Sequence, residues 1–252
     1  MWEDTWTVQL KSDDPVRLTV GAQGVRAGAE AGAAPDDRAW ADGQLSFSTV
    51  FAQNSTLDTC YRIPLITYTA AGTLLAIAEE RYDAKACPDN YPPGQPGGHN
   101  QVMRRSTDKG RTWDQAQRQV GSLDNLKKVG GVDYTNPSII NVRLPGGTTR
   151  ILYQYSTQNN PSANKHGHTL QMFSEDDAVS WTAPTANISE QVEATGAAAL
   201  PGATPGPIQG VQAGERLVMC AWGSSASGGP GDPTWNAGLG NFVYGSTDFG
   251  AR

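Results

Sequence analysis

The chain has 252 residues and a net charge of −6, with a pI near 5.0, so it is long enough for one large or two small domains but lacks the cationic footprint that nucleic acid demands. No stretch approaches the roughly 18 to 20 consecutive apolar residues of a membrane span, and the opening WEDTWTVQLKSDD does not read as a secretory signal. Three cysteines, Cys60, Cys87 and Cys220, are too few and too scattered for a zinc site or a disulfide scaffold; a Cys60–Cys87 bridge is one option, and unpaired core thiols are the favoured one.

Twenty-nine glycines, sixteen prolines and seven tryptophans, without long amphipathic runs, predict an all-β chain of short strands and tight turns. A first strand is expected near Val16–Val20, followed by an Ala- and Gly-rich excursion over 21–43. QLSFSTVF and YRIPLITYT then read as strands, the latter as a buried one. After the turn AAG, TLLAIAEERY has helical propensity, but its length and the hairpin signal before it predict a strand. RYDAKACPDNYPPGQPGGHNQ reads as a loop, with His99 an ordinary polar member of it. The triplets at Asn54 and Asn187 have the form of glycosylation sequons.

An internal repeat organises the remainder. STDKGRTW begins at Ser106, SEDDAVSW at Ser174 and STDFGAR at Ser246, with starts 68 and 72 residues apart. That period accommodates about four short strands, one blade of a β-propeller. In each copy an aspartate (Asp108, Asp176, Asp248) can accept backbone N–H bonds across a turn, and a glycine supplies positive φ; in the first two a tryptophan can pin the hairpin. These aspartates are expected to be scaffold. Ala178 replaces the glycine in the second copy, which predicts a distorted turn there.

Ser-X-Asp-X-Gly-X-Thr-Trp is the Asp box, and YRIP, GTLLAIAEER and the first box, in this order, closely resemble the opening of sialidases, especially the lysosomal type and its bacterial relatives. NPSII at 136–140 and GPIQGVQAGERLVMCAWG at 206–223 resemble the next two innermost-strand regions of that family. The resemblance implies a six-bladed propeller when complete, about three blades of it within 46–252, and leaves 1–45 as a strand- and loop-rich extension. The chain reads as a fragment or an incomplete gene product, with open propeller edges available for self-association.

The same resemblance implies an exo-α-sialidase acting on sialylated glycoconjugates without metal or cofactor, in a secreted or lysosomal setting. Arg62 would be the first of three arginines on the sugar carboxylate, which a guanidinium grips bidentately. Arg81 would lie beside that carboxylate and the 4-substituent, and Asn136 would line the substrate site. The general acid would be a loop aspartate, Asp89 or alternatively Asp83. Glu79 and Glu80 read as structural, one of them orienting an arginine. The family's tyrosine–glutamate nucleophile pair has no assignable counterpart here, and Tyr153, Tyr155 and Tyr244 are not candidates. The alternative is a non-catalytic Asp-box propeller that binds glycan or protein; a glycosidase acting on neutral glucans is a third option.

Overall fold

A computed structural model describes residues 49–53, 56–82, 95–159, 168–184, 186–188, 204–224 and 239–250. The chain divides into two units, Met1–Asp36 and Asp37–Arg252, and all described residues belong to the second. The strand expected near Val16–Val20 therefore lies outside the described residues, as do Asp83 and Asp89.

Strands dominate, and five-residue α1 (Leu123–Lys127) is the one α-helix among the described residues. The strands form three antiparallel meanders. The first runs β1 (Thr59–Tyr68), β2 (Leu74–Tyr82), β3 (His99–Ser106), β4 (Gln117–Val120). The second runs β5 (Val132–Arg143), β6 (Thr149–Asn159), β7 (His168–Ser174), β8 (Ala186–Asn187). The third joins β11 (Val211–Ala213), β12 (Arg216–Ser224) and β13 (Leu239–Ser246), with β9 (Thr204–Pro205) also on β12. Two short parallel contacts link neighbouring meanders: His99 with Asp133, and β10 (Ile208–Gln209) with Ser138 and Ile139 of β5.

TLLAIAEERY is strand β2, because β1 and β3 flank it on both sides and their ladders outweigh its helical propensity. By contrast, residues 49–51 of QLSFSTVF are not strand; Phe51 instead packs its ring 5.2 Å from that of Tyr61. Nor is β1 buried throughout. Ile66 and Tyr68 are 60% and 63% exposed, and Arg62 is exposed as well, so the run of apolar letters conceals an alternation.

The core lies between meanders. Ile139 of β5 joins Leu75, Ile77, Met103, Tyr153 and Met172 on one side, while its neighbour Ile140 joins Leu152, Leu217, Met219 and Tyr244 on the other. The second meander is thus buried on both faces, which period-2 alternation makes possible when successive positions are both apolar.

The repeated turns are built alike. Ser106 Oγ donates to Asp108 Oδ1 (2.8 Å), and Asp108 accepts from Thr112 N (2.9 Å) and Thr112 Oγ1 (2.6 Å). Ser174, Asp176 and Ser180 reproduce these contacts, and Ser246 donates to Asp248 in the third copy. The second turn is not distorted: Ala178 takes the glycine's left-handed conformation (φ 62°), and its N–H reaches Ser174 Oγ at 3.0 Å, as Gly110 N reaches Ser106 Oγ at 2.8 Å. Hydrogen bonds from the turn hydroxyls hold Asp108 and Asp176 down at about 2, so both stay ionised as acceptors.

These turns also tie each meander to the one before it. Asp177 accepts Thr73 Oγ1 (2.6 Å) and Arg105 Nη2 (3.0 Å) from the first meander, and Gly250 O accepts Gln171 Nε2 (2.6 Å) from the second. Replacing Asp177 with alanine removes the acceptor of the buried Thr73 hydroxyl and of Arg105 Nη2, while Arg105 Nε keeps the Asp177 carbonyl, and urea unfolding should show a loss of about 1 to 3 kcal/mol. Unchanged stability would show that the ties are incidental.

Candidate functional site

Strand register assembles a charged cluster on one face of the first meander. Arg62 lies directly across from Glu79, and Glu79 across from Gln101; in the next row Cys60 lies across from Arg81, and Arg81 across from His99. The parallel contact of His99 with Asp133 carries the second row into β5. Residues in register across strands share a face, so Arg62, Glu79, Arg81, His99 and Asp133 converge.

Glu79, with no exposed surface, is the hub. Its Oε2 accepts Arg81 Nε at 3.0 Å and also Arg81 Nη2, and its Oε1 accepts the backbone N–H of Asn136 at 2.7 Å. His99 Nδ1 stands 4.0 Å from Glu79 and 3.7 Å from Asp133, whose Oδ1 accepts the His99 backbone N–H at 3.1 Å. The carboxyl of Glu79 is pushed upward by burial, against the opposing pull of Arg81, the Asn136 N–H and Arg62. Asp133 is pushed up to about 7, again first by burial, with the His99 N–H and Arg81 pulling it down and Glu79 adding to the rise.

The two bulges that shape the site share one device. Register breaks between Arg62 and Leu65 in β1 and between Thr135 and Ser138 in β5. Within each break the residue before a proline is left-handed, Ile63 at φ 54° before Pro64 and Asn136 at φ 55° before Pro137. Proline donates no ladder hydrogen bond and is confined to such bulges, and a β-branched residue at positive φ is a strained one. The bulge in β5 is what turns the Asn136 N–H toward Glu79.

Of the sequence candidates, Arg62, Arg81 and Asn136 meet around Glu79. Arg81 is 5% exposed, so it is a buried ion-pair member and not a solvated strand end. The glutamates divide by alternation. Glu79 orients Arg81, while Glu80 faces the other way and is gripped by Arg118 through two bonds of 2.6 and 2.7 Å. His99 is not a loop residue; it opens β3 and is 2% exposed. Cys60 is disulfide-bonded, contrary to the expectation of unpaired thiols, while Cys220 is free; Cys87 lies outside the described residues. Burial pushes Tyr153 well up, Tyr155 up to about 12 and Tyr244 up, the opposite of what an activated nucleophile needs.

Asp133 was not anticipated. GGVDYTNPS has no motif marking its aspartate, and only the contact between β3 and β5 brings it to the arginines.

No protein-family model matches the chain. Solved structures do. A Hadza microbial sialidase aligns over 76% of this chain and 36% of its own, with 19% identity and a TM-score of 0.54. The leech intramolecular trans-sialidase aligns over 83% and 45%, with 12% identity and a TM-score of 0.56. A family 117 glycoside hydrolase from the marine bacterium Zobellia galactanivorans aligns over 77% and 55%, with 14% identity and a TM-score of 0.51. The chain spans about a third to a little over half of the length of these proteins. Its mostly β fold is sialidase-like, of the sialidase-type glycoside hydrolase kind.

Two outcomes follow from the cluster. Glu79→Ala removes a buried carboxylate that pairs with Arg81 and should cost about 3 to 5 kcal/mol in chemical unfolding; a loss below about 1 kcal/mol would show that this pair is not needed to hold the buried cation. The second concerns pH. The folded protein keeps Asp133 protonated up to about pH 7, whereas the unfolded chain releases that proton near pH 4. The native state thus holds more protons across this window, and its stability falls as pH rises through it, by up to about 4 kcal/mol in total, then levels off. In Asp133→Asn that contribution to the slope between pH 4 and 7 should vanish, as unfolding free energies at half-unit pH steps will reveal.

Proposed function

We propose that the three meanders are three blades of a sialidase propeller and that the cluster around Glu79 is part of a sialic-acid site. The observation that carries this reading is the pairing of Arg62 with Glu79 across β1 and β2. It sets an exposed guanidinium beside a second arginine that is already buried and neutralised. A sugar carboxylate arriving from solvent would meet Arg62 as a planar fork of donors, with Arg81 behind it to strengthen the field.

In this reading the reaction is hydrolysis of a terminal sialic acid from a glycoprotein, glycolipid or oligosaccharide. Asp89, or alternatively Asp83, protonates the leaving glycosidic oxygen. Asn136 lines the site at its bulge. The tyrosine and glutamate that would form and resolve the covalent intermediate are assigned to no residue of this chain. The repeated Ser-X-Asp turns are the Asp boxes of the propeller. The exposed apolar residues Ile66 and Tyr68 of the first meander, and Val211 and Val243 of the third, support association of these faces with further blades or with a second copy. A binding module without catalysis is the competing reading.

Turnover of a fluorogenic sialoside tests the proposal. Arg62→Ala should lower kcat/KM by an amount equivalent to about 2 to 5 kcal/mol. Asp89→Asn and Asp83→Asn should separate the acid from the bystander, since only loss of the true acid changes the pH limb of the rate. Undiminished turnover in Arg62→Ala would remove the carboxylate clamp. Sialoside binding without turnover in the wild type would favour the binding module.

A further inference from the structure

Beyond the charged cluster, the seam on which the cluster depends is held largely by side chains, among them Gln101 of β3, whose Nε2 donates to Tyr134 O of β5. β3 and β5 pair at a single position, His99 with Asp133, so the ladder itself supplies little. The neighbouring connection comes from Asn125, on α1. Its Oδ1 accepts Val132 N at 2.8 Å and its Nδ2 donates to Val132 O at 2.9 Å, a closed pair of bonds of the kind a strand would make. Nδ2 also lies 2.9 Å from Asn100 Oδ1 and 3.3 Å from His99 O. Asn100 in turn donates to Glu80 Oε2 at 3.2 Å, on the face of β2 opposite Arg81. One amide therefore touches the residue before Asp133, the carbonyl of His99 and the chain leading to β2.

The local sequence makes room for Asn125, chiefly for its backbone carbonyl, and for the Asn100 amide that it meets. Ser122 caps α1, its Oγ accepting Asn125 N at 3.1 Å. Three glycines surround the contact. A Cβ on Gly98 would stand 2.7 Å from Asn125 O, one on Gly131 would stand 2.3 Å from the same oxygen, and one on Gly121 would stand 1.8 Å from Asn100 Oδ1. No other residue type fits at these positions without displacing Asn125 or Asn100.

We infer that Asn125 is a positioning residue for the site: by adding to the short ladder between β3 and β5 it fixes the Asp133 carboxyl against the His99 N–H. The inference rests on the sialidase reading for its meaning in catalysis, but its geometry stands apart from that reading. The groups facing the Asp133 carboxyl are His99 from β3 and Glu79 and Arg81 from β2, with Arg62 of β1 acting on Glu79. Opening the seam admits water to all of them, and the carboxyl, held neutral by burial, gains most.

The test is the titration of Asp133 in the full chain, followed by carbon-13 NMR of its carboxyl, with the signal assigned through its loss in Asp133→Asn. In the wild type the midpoint should fall near 7. In Asn125→Ala it should drop by about one pH unit or more toward the ordinary carboxylate range. Ser122→Ala, a mild loss of the helix cap, should move it the same way by less and serves if Asn125→Ala does not fold. Asp177→Ala is the control, weakening the fold at another tie between the first two meanders while leaving the midpoint in place. A midpoint unmoved in a folded Asn125→Ala, or in Ser122→Ala if only that variant folds, overturns the inference, as does an equal movement in Asp177→Ala. Sialoside turnover is read on the same samples. A moved midpoint without turnover in any sample supports the positioning role and counts against the sialidase reading; turnover with an unmoved midpoint does the reverse.

Discussion

A buried arginine needs a counter-charge, and here a fully buried carboxylate, Glu79, supplies one to Arg81. Glu79 is fully enclosed, is pushed upward by burial, and is kept useful as an anion only by Arg81, the Asn136 N–H and the nearby Arg62. Removing any of those partners raises the cost of keeping Glu79 charged, and removing Glu79 deprives buried Arg81 of a paired carboxylate. The strands on both sides of β2 are therefore constrained together, because β1 must present Arg62 opposite Glu79 and β5 must bulge to bring its N–H to the same oxygen pair. The electrostatics of the cluster and the register of the sheets are one constraint.

The asymmetry of the two arginines follows from it. Arg81 is spent on Glu79 inside the protein, while Arg62 sits at the edge of a bulge with its surface open. An anionic ligand approaching from solvent gains most from the exposed guanidinium and feels the buried pair as a nearly neutral dipole. Asp133, held largely protonated by burial, adds no full negative charge to repel such a ligand at acidic pH, and adds one as pH rises past about 7.

Much of the scaffold was legible. Short strands, the hairpin at AAG and the repeated turns are local properties, fixed by glycine, proline and side-chain acceptors a few residues apart. Arg62, Arg81 and Asn136 were legible as members of motifs. Ala178 misled, because its turn is held by Ser174 and Asp176 strongly enough to impose a left-handed backbone without glycine. His99 misled for a different reason: nothing in a Gly- and Pro-rich stretch announces that its end becomes the first, buried residue of a strand. The apolar letters of β1 suggested full burial, yet Ile66 and Tyr68 face outward, a matter of which neighbours cover a strand.

The sequence by itself determined the class of structure, the period of its repeats and the turns that join its strands, because each is written within a few residues or in a regular spacing. Only the tertiary structure decided that Glu79 serves Arg81 while Glu80 serves Arg118, that Asp133 belongs with the arginines, and that Asn125 closes the seam beside them. Those decisions depend on register between strands far apart in the chain. A shift of one residue in register would set Glu80 opposite Arg62 and turn Glu79 and Arg81 to the other face, and no local signal records which register is taken.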